Sequence, residues 1–397
     1  MTTQTYSATP DLIADFDRVR QRSLMIGIVG LLLCAVGWFL NPEQFYRSYL
    51  VGFLFWNGVT LGCMAIMFLH QLSGGAWGIV IRRILEAASR MFPVTLVLFL
   101  PLIFGIHSLY IWSRPEAVAA DHVLQFKAAY LNVPFFLGRA ALYFAIWLTL
   151  SYIFNKWSLA QDRTQAEPWL TRLQILSGPG LLLYGATVTF SSIDWVMSLE
   201  PKWYSTIYGI LFIGGQGVSA LAFVICVIVM ISARPPMSDV ITDKHLRDLG
   251  TLLFAFIMLW AYFAFSQFLL IWAGNLPSEI PWYLKRMQGG WMWVGLCLIL
   301  FHFALPFLLL LSREFKRNPR WMGMVAGWVI VMRIVDLFWL SAPANAANGL
   351  NVHWLDIVAP VGVGGIWVAA FFWQLKQRPL LPIHDPELEE ALEHGRE

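Results

Sequence analysis

The side chains best suited to chemistry in this sequence are the few ionisable residues inside its long apolar runs. The residues that carry the main hypotheses are His107, Arg139, Asp194, His302, Arg333 and Asp336. A charge near the centre of a bilayer costs about 2.5–3.5 kcal/mol on insertion scales, so each needs a partner or a polar cavity. Such groups form either neutralising ion pairs or routes for protons when they face the interior of a helix bundle.

The first group comprises His107, Arg139 and Asp194, which we expect at similar depth towards the outer face of the membrane. A pair formed by Arg139 and Asp194 would join two helices. A cluster of all three would instead suit the polar head of a quinone or a proton route, since a carboxylate and an imidazole beside an arginine can hold shifted pKa values. Both interpretations stay open from the sequence.

The second group is expected nearer the middle of the membrane. Arg333 and Asp336 are three residues apart on the predicted ninth helix and therefore share one face. His302 lies on the eighth helix, Gln267 on the seventh extends the group outwards, and His70 ends the second helix on the cytoplasmic side. These five residues are our candidates for a proton path. The alternative is a structural ion pair beside a hydrogen-bonded core histidine.

Other chemistries are poorly supported by the residue patterns. A membrane haem needs histidine ligands that face each other across helices, and His107 and His302 differ in predicted depth. The four cysteines lie in apolar runs without a CxxC pattern, which argues against a disulfide framework or an iron–sulfur site. A phosphate-binding loop, an HExxH motif and a nucleophile elbow are all absent from the sequence. We therefore expect no catalytic residue, no metal site and no directly bound redox cofactor.

The elements that must position these residues are membrane helices. Hydrophobic residues make up 58% of the 397 residues and charged residues only 13%, a composition typical of multi-pass membrane proteins. Apolar runs of roughly 20 residues, enough to cross about 30 Å, predict ten helices. The runs lie near residues 23–40, 48–70, 91–112, 134–155, 177–198, 205–231, 249–272, 289–311, 322–341 and 355–375.

The distribution of lysine and arginine predicts the direction of these helices. Of the 27 basic residues, 19 lie in the two terminal segments and in the connections after helices 2, 4, 6 and 8. The other five connections hold six, and Arg139 and Arg333 lie within the membrane. Because short cytoplasmic connections carry the excess of positive charge, we expect both termini in the cytoplasm.

The remaining segments complete the predicted organisation. Residues 1–22 form a cytoplasmic N-terminal segment, residues 23–375 the membrane domain, and residues 376–397 an acidic cytoplasmic tail, which we expect to be solvated. Residues 75–90 are too charged to span a membrane, yet their apolar residues have helical spacing, so we expect a helix lying along the cytoplasmic surface. Tryptophans near helix ends are expected to form interfacial belts: Trp38, Trp112, Trp157, Trp203, Trp272, Trp282, Trp321 and Trp354.

Several long motifs lie between residues 190 and 339. They are FSSIDWVMSLEPKWYSTIYG (190–209), FIGGQGVSALAF (212–223), FAFIMLWAYFAFSQFLLIWAGNLPSEIPWY (254–283), GGW (289–291), FHFALPFLLLLSREFKRNP (301–319) and IVDLFW (334–339). Together they resemble the NrfD-like, or polysulfide-reductase-type, membrane subunits. Within that family the sequence is most similar to the second large membrane subunit of bacterial alternative complex III, a quinol:electron-acceptor oxidoreductase. The resemblance covers nearly the whole chain.

The resemblance implies an all-α polytopic fold in the bacterial cytoplasmic membrane. Helices 2–5 and helices 6–9 would form two four-helix bundles, flanked by helices 1 and 10. The implied partners are the companion NrfD-like subunit ActC, an iron–sulfur subunit, multihaem cytochrome c subunits, small membrane subunits and lipids. The haem c and iron–sulfur clusters would belong to those partners. The quinone pocket of the family lies in the first bundle towards the outer face, at the depth predicted for His107, Arg139 and Asp194.

The resemblance also implies a function. Menaquinol or ubiquinol would be oxidised mainly at the companion subunit, whereas this chain would support assembly and supply a transmembrane proton path through helices 6–9. A secondary transporter is one alternative, although it would need paired broken helices in two halves and the glycines and prolines are scattered. The other alternative is a purely structural membrane anchor. It would have the same sequence features and would differ only in that its buried charges carry neither protons nor quinone.

Overall fold

The computed structural model describes residues 6–163, 168–345 and 349–394, and every regular element in these ranges is helical. Ten helices are long and apolar enough to cross a membrane, which confirms the predicted all-α chain with ten membrane helices. We number them α1 to α10: Pro10–Leu40, Pro42–Ser73, Arg82–Phe104, Val133–Arg163, Pro168–Leu199, Tyr208–Ile231, Asp243–Gly274, Trp291–Leu311, Pro319–Asn345 and Leu355–Leu375. Helix α1 begins well before the apolar run near residue 23 that predicted it.

Local sequence sets the ends of several helices. Asn41 alone separates α1 from α2: its backbone N–H donates to the Gly37 carbonyl at 2.8 Å, and its side chain accepts from the N–H of Gln44 at 3.2 Å. Pro42 then occupies the first turn of α2, where an N–H would have no helical partner. Asn318 and Pro319 begin α9 in the same way. Asn41 is thus the whole connection between α1 and α2, whereas residues 312–318 connect α8 with α9.

Helices α2 and α6 lie at the centre of the molecule, packed against each other and buried along most of their length. Helix α2 also contacts α3 and α5, while α6 also contacts α5, α7 and α9. Helices α7 and α8 pack together at the edge, and α1 packs against α10. The polar residues that face this interior are therefore surrounded by helices on several sides.

Helices α1 and α10 approach each other through glycines. A Cβ atom added at Gly30 would lie 2.5 Å from the Cα of Gly362, and one added at Gly37 would lie 2.6 Å from the Leu355 side chain. Small residues permit this backbone contact, which replaces the hydrophobic driving force that is missing between helices in lipid. On its other side α1 exposes large apolar residues such as Leu32 and Phe39, as expected of a surface that faces lipid.

The first and the last described segments of the chain lie at one end of the molecule, which we call the terminal end. The N–H of Leu380 donates to the Tyr6 carbonyl at 2.8 Å, and Lys376 pairs with Asp17 at 2.6 Å. Arg234, in the connection between α6 and α7, pairs with the start of α1 at this end. An even number of crossings brings these segments together.

Residues 75–90 do not form the predicted surface helix. Within this segment the structure has a short helix at Ala76–Ile79 and a helix at Arg82–Ser89 that opens α3, and all eight residues of the latter are buried. The prediction was wrong because the charged side chains find partners inside the protein. Helical spacing of apolar residues does not reveal what covers the polar face.

The acidic tail is also packed rather than solvated over its described part. Glu387–His394 is helical, Leu388 and Ala391 are buried, and Asp385 is only 6% exposed. The prediction of a solvated tail is wrong for residues 385–393, and residues 395–397 lie outside the described ranges.

The predicted tryptophan belt is only partly correct. The exposed members are Trp38, Trp272, Trp321 and Trp354, whereas Trp157 is half-buried. Trp112, Trp203 and Trp282 are buried, and the rings of Trp203 and Trp282 stack with their centroids 4.8 Å apart. These buried tryptophans belong to the core near helix ends, so proximity to a helix end did not separate the two classes.

Candidate functional site

One buried polar group consists of Trp260, His302, Arg333 and Asp336, and we call it the His302 group. His302 lies in the π-helical segment Leu298–Ala304 in the middle of α8 and is 0% exposed. Neither ring nitrogen has a hydrogen-bond partner among the described residues. Leaving a buried polar atom unpaired is costly, and π-helical turns inside α-helices often mark functional sites. His302 is therefore an unusual feature of this core.

Trp260 on α7 joins the two parts of the His302 group. Its ring lies with its centroid 4.3 Å from that of His302, and its Nε1–H donates to Asp336 Oδ2 at 3.1 Å. Trp260 was not among the predicted site residues, because a tryptophan in an apolar run is usually a packing residue. Its only sequence signal is an indole N–H that must find an acceptor when buried.

Arg333 and Asp336 on α9 form the ion pair that their spacing predicted, with Arg333 Nη1 donating to Asp336 Oδ2. Both are deeply buried, at 1% and 3% exposure. Gly215 on α6 makes room for the guanidinium, since a Cβ there would overlap it. Arg333 Nε has no hydrogen-bond partner among the described residues. The Nε–H of Arg333 can therefore still donate to another group in the interior.

The other two proton-path candidates lie outside this group. Gln267 is buried on α7, two turns beyond Trp260, and accepts from the hydroxyl of Ser205 at 2.6 Å. His70, at the end of α2, lies with Nε2 3.0 Å from the Gly75 carbonyl and 3.8 Å from a carboxylate oxygen of Glu387. The structure thus brings together only His302, Arg333 and Asp336 of the five predicted candidates.

Another buried polar group consists of Tyr130, Arg139, Tyr143 and Asp194, and we call it the Asp194 group. Arg139 Nε and Nη2 each donate to a different carboxylate oxygen of Asp194 at 2.8 Å. Tyr143 donates to Oδ2 at 2.7 Å, and Arg139 Nη1 donates to the Tyr130 carbonyl at 3.1 Å. Two-pronged pairs of this kind are among the strongest charge-assisted contacts.

Aromatic rings cover the open side of this pair. The guanidinium carbon of Arg139 lies 3.8 Å from the ring centre of Tyr130 and 4.3 Å from that of Phe135, a cation–π arrangement. Burial raises the pKa of Tyr130 to about 12, so its phenol stays protonated at neutral pH. Asp194 itself has no exposed surface.

His107 does not join the Asp194 group. Helix α3 ends at Phe104, and His107 lies in the separate short helix Ile106–Leu109 with its side chain exposed. The predicted cluster of three is therefore wrong for His107. A turn at Gly105 separates α3 from the short helix that carries His107, and a Cβ atom at Gly105 would overlap the Tyr46 ring.

A third polar group, which the sequence analysis missed, lies at the terminal end, and we call it the terminal network. Arg82 contacts Asp385 and donates to the side-chain oxygen of Gln161 at 2.8 Å. Arg83 contacts Asp162 and donates to Glu86 at 2.6 Å. Charges from the start of α3 thereby hold the end of α4 and the tail.

Glu86 lies at the centre of the terminal network with no exposed surface. It accepts from the hydroxyl of Ser158 at 2.5 Å and from Arg378 at 3.3 Å, and Arg378 also donates to Asn155 at 3.0 Å. Burial lowers the pKa of Arg378, while the Glu86 carboxylate acts in the opposite direction. A sequence signal existed in the charged residues 82–86 of a chain with few charges.

The tail also reaches the other half of the molecule. His245, near the start of α7, lies with Nε2 3.1 Å from the Ala391 carbonyl. The tail segment therefore connects α3 and α4, through Asp385, with α7. We call residues 385–391 the clasp, because they join segments that are far apart in sequence.

A further buried charge lies at the opposite end of the molecule. Arg286, 1% exposed, donates to Glu200 at 3.1 Å and to the Leu340 carbonyl at 2.9 Å, and its guanidinium carbon lies 3.4 Å from the Trp282 ring centre. Burial lowers the pKa of Arg286. These contacts join the α5–α6 connection, the α7–α8 connection and α9.

Two comparisons with known proteins were negative for this chain. No family model matches the sequence, and no curated protein matches it. Within the described ranges no three His, Cys, Asp or Glu side chains form a group that could hold a metal ion.

Proposed function

We propose that this chain is an NrfD-like membrane subunit of the ActF type, part of a bacterial alternative complex III in the cytoplasmic membrane. In this role it supports assembly of a quinol:electron-acceptor oxidoreductase and carries a proton path through α6–α9. The motifs between residues 190 and 339 support the family assignment, and the ten membrane helices are compatible with it.

One observation carries the proton-path part of the proposal, namely the state of His302. Its two ring nitrogens have no hydrogen-bond partner among the described residues, in the interior of α6–α9. Trp260 contacts its ring and donates to a carboxylate that is itself paired with Arg333. An imidazole can take up and release a proton, and a buried carboxylate can do the same when its arginine partner moves. Intramembrane groups of this kind typically mark proton relays.

Helix packing supports the two-bundle arrangement that belongs to this proposal. Helices α2, α3, α4 and α5 contact one another in a ring, and so do α6, α7, α8 and α9, while α1 and α10 pack together outside. The excess of basic residues at the terminal end supports a cytoplasmic location for both termini.

The proposal assigns the redox groups to partner subunits. Haem c, iron–sulfur clusters and the main site for menaquinol or ubiquinol would lie on the multihaem cytochrome, iron–sulfur and ActC-type subunits, with small membrane subunits and lipids around the chain. The motifs between residues 190 and 339 are the support for these partners.

The Asp194 group favours a second role, that of a structural anchor, for α2–α5. Both carboxylate oxygens of Asp194 already accept charged or hydroxyl donors, and rings of Tyr130 and Phe135 cover Arg139. A quinone head group would have to displace these contacts. The pair between α4 and α5 therefore suits a helix-joining role better than a quinone site.

Purification of the native assembly tests the family part of the proposal. The chain, isolated under mild conditions from its own membrane, should migrate with haem-containing and iron–sulfur subunits and with a second NrfD-like chain. Mass spectrometry of the isolated particle identifies them. A chain that migrates alone would show that the assignment is wrong.

Asp336→Asn tests the proton path separately. We expect the number of protons moved per electron to fall steeply while quinol oxidation continues, because removal of a proton-transfer group lowers the transfer rate by roughly 10²-fold or more. Asp194→Asn is the matched control, since it removes another buried, arginine-paired carboxylate. Its proton-to-electron ratio should stay normal in the enzyme that assembles. An unchanged ratio in Asp336→Asn would exclude this path.

A further inference from the structure

The connection between α8 and α9, together with the first turn of α9, carries a concentrated positive charge. Arg313, Arg317 and Arg320 are exposed, and none lies within 4.0 Å of a carboxylate among residues 6–163, 168–345 and 349–394. The neighbouring Lys316 differs, because it is buried and donates to the Thr251 hydroxyl at 3.0 Å. One basic residue thus serves packing, and three are free for an external anion.

An apolar surface begins directly beside these arginines. Helix α8 exposes Phe301, Leu305, Leu308 and Leu311, and α9 exposes Trp321, Met324, Trp328 and Val331. The two stripes are adjacent, because Trp328 Nε1 donates to the Phe301 carbonyl at 2.8 Å. Both stripes follow helical spacing towards the middle of the membrane, so they form a continuous surface of acyl-chain length.

Trp321 marks the boundary between the charged and apolar parts. It is 50% exposed, directly follows Arg320, and packs against Phe315 with ring centroids 5.6 Å apart. Tryptophan prefers the head-group region of a bilayer. The three arginines therefore lie at the level of lipid phosphates when Trp321 occupies that region.

We propose that this surface, defined by Arg313, Arg317 and Arg320 with the exposed stripes of α8 and α9, is a binding site for an anionic phospholipid. The arginines would bind the phosphate and any further head-group charge, and the stripes would hold the acyl chains. Arginine matches phosphate oxygens with two parallel donors. Glu314, also exposed, is the one acid in the connection and leaves it clearly positive. This inference is independent of the proposed proton path.

Lipid retention by the purified full chain, or by its native complex, tests the site. We would load detergent-solubilised protein with phosphatidylglycerol or phosphatidylcholine, wash it, and count bound lipids by native mass spectrometry. Arg313→Gln/Arg317→Gln/Arg320→Gln should lower retention of phosphatidylglycerol by at least about tenfold, since basic residues near a membrane surface each contribute to anionic lipid binding. Phosphatidylcholine retention should not change.

Arg18→Gln/Arg20→Gln is the matched control, because these arginines lie near the same end but are paired with Asp15 and Asp17. It should retain phosphatidylglycerol like the wild type. In wild-type protein, salt raised from about 0.1 M to about 1 M shortens the Debye length from about 10 Å to about 3 Å and should release phosphatidylglycerol selectively. The salt measurement uses only the wild-type protein, so its result does not depend on whether a variant folds.

Three outcomes would overturn the proposal. One is equal retention of phosphatidylglycerol by the triple variant, and another is retention that salt does not affect. The third is displacement of the lipid by glycerol 3-phosphate at equal concentration, which would identify a site for a soluble phosphate instead. If an acidic protein surface occupied the arginines in the native complex, the triple variant would lose that subunit while its lipid retention stayed unchanged.

Discussion

At the scale of single residues, the buried charges differ in how completely they are paired. Asp194 has three donors on its two carboxylate oxygens, whereas His302 has no hydrogen-bond partner among the described residues. A fully paired group is expected to stabilise the fold. An unpaired one reduces stability and is a better candidate for function.

Asp194→Asn should strongly destabilise the protein. It leaves the buried Arg139 without its counter-charge, and breaking a buried pair in this way typically costs about 3–5 kcal/mol. Thermal unfolding in detergent measures the loss. The double variant Arg139→Gln/Asp194→Asn should recover part of it, since it removes the uncompensated charge. If Asp194→Asn were as stable as the wild type, the pair would not be the anchor that we describe.

Gly215→Ala should disturb the His302 group from outside it. The added Cβ would overlap the Arg333 guanidinium, and forcing extra volume into a packed core costs about 1–3 kcal/mol. Gly327→Ala on α9 is the matched control, because nothing lies within 4 Å of its Cβ position. At position 327, alanine should stabilise α9 by up to about 1 kcal/mol relative to glycine. Equal unfolding temperatures for the two variants would contradict the close contact.

Residue-level prediction from the sequence succeeded where spacing within one helix was sufficient. Arg333 and Asp336 had to share a face, and they are paired. It failed for His107, because α3 ends before the turn at Gly105, which packs against Tyr46 on another helix. Trp260 and Tyr143 were missed for a related reason. Their polar atoms matter only once a neighbouring helix supplies the acceptor.

At the scale of elements, the ten membrane helices were predictable because each must bury its own backbone hydrogen bonds over the width of a bilayer. The docking of the tail was not predictable in this way. It depends on charge pairs between residues that are about 300 positions apart, such as Arg82 and Asp385. An acidic composition describes the average of a segment and not the one carboxylate that is buried.

Asp385→Asn should loosen the clasp between the start of α3 and α7. It removes the carboxylate that Arg82 and Gln161 contact and leaves a buried arginine less well compensated. We expect faster protease cleavage after residue 385 and a lower unfolding temperature. Glu389→Gln makes the same change of charge at an exposed tail position and should behave like the wild type. Identical cleavage of the two variants would contradict the clasp.

At the scale of the whole molecule, the chain has two chemically distinct ends. The terminal end holds the first and last described segments, the terminal network, and Arg313, Arg317 and Arg320 at the end of α8 and the start of α9. The opposite end holds the pairing of Arg286 with Glu200. The direction of any proton path and the leaflet of any bound lipid depend on which end faces the cytoplasm.

Labelling of single cysteines tests that orientation. Glu389→Cys and Ala119→Cys place exposed thiols at the terminal end and in the α3–α4 connection at the opposite end, respectively. Basic residues concentrate at the terminal end, and segments rich in lysine and arginine stay in the cytoplasm during membrane insertion. A membrane-impermeant maleimide should therefore label Ala119→Cys in intact cells and Glu389→Cys only in inverted vesicles. A chain without its four native cysteines supplies the background. The reverse pattern would place the termini outside and would direct the proposed proton path the other way.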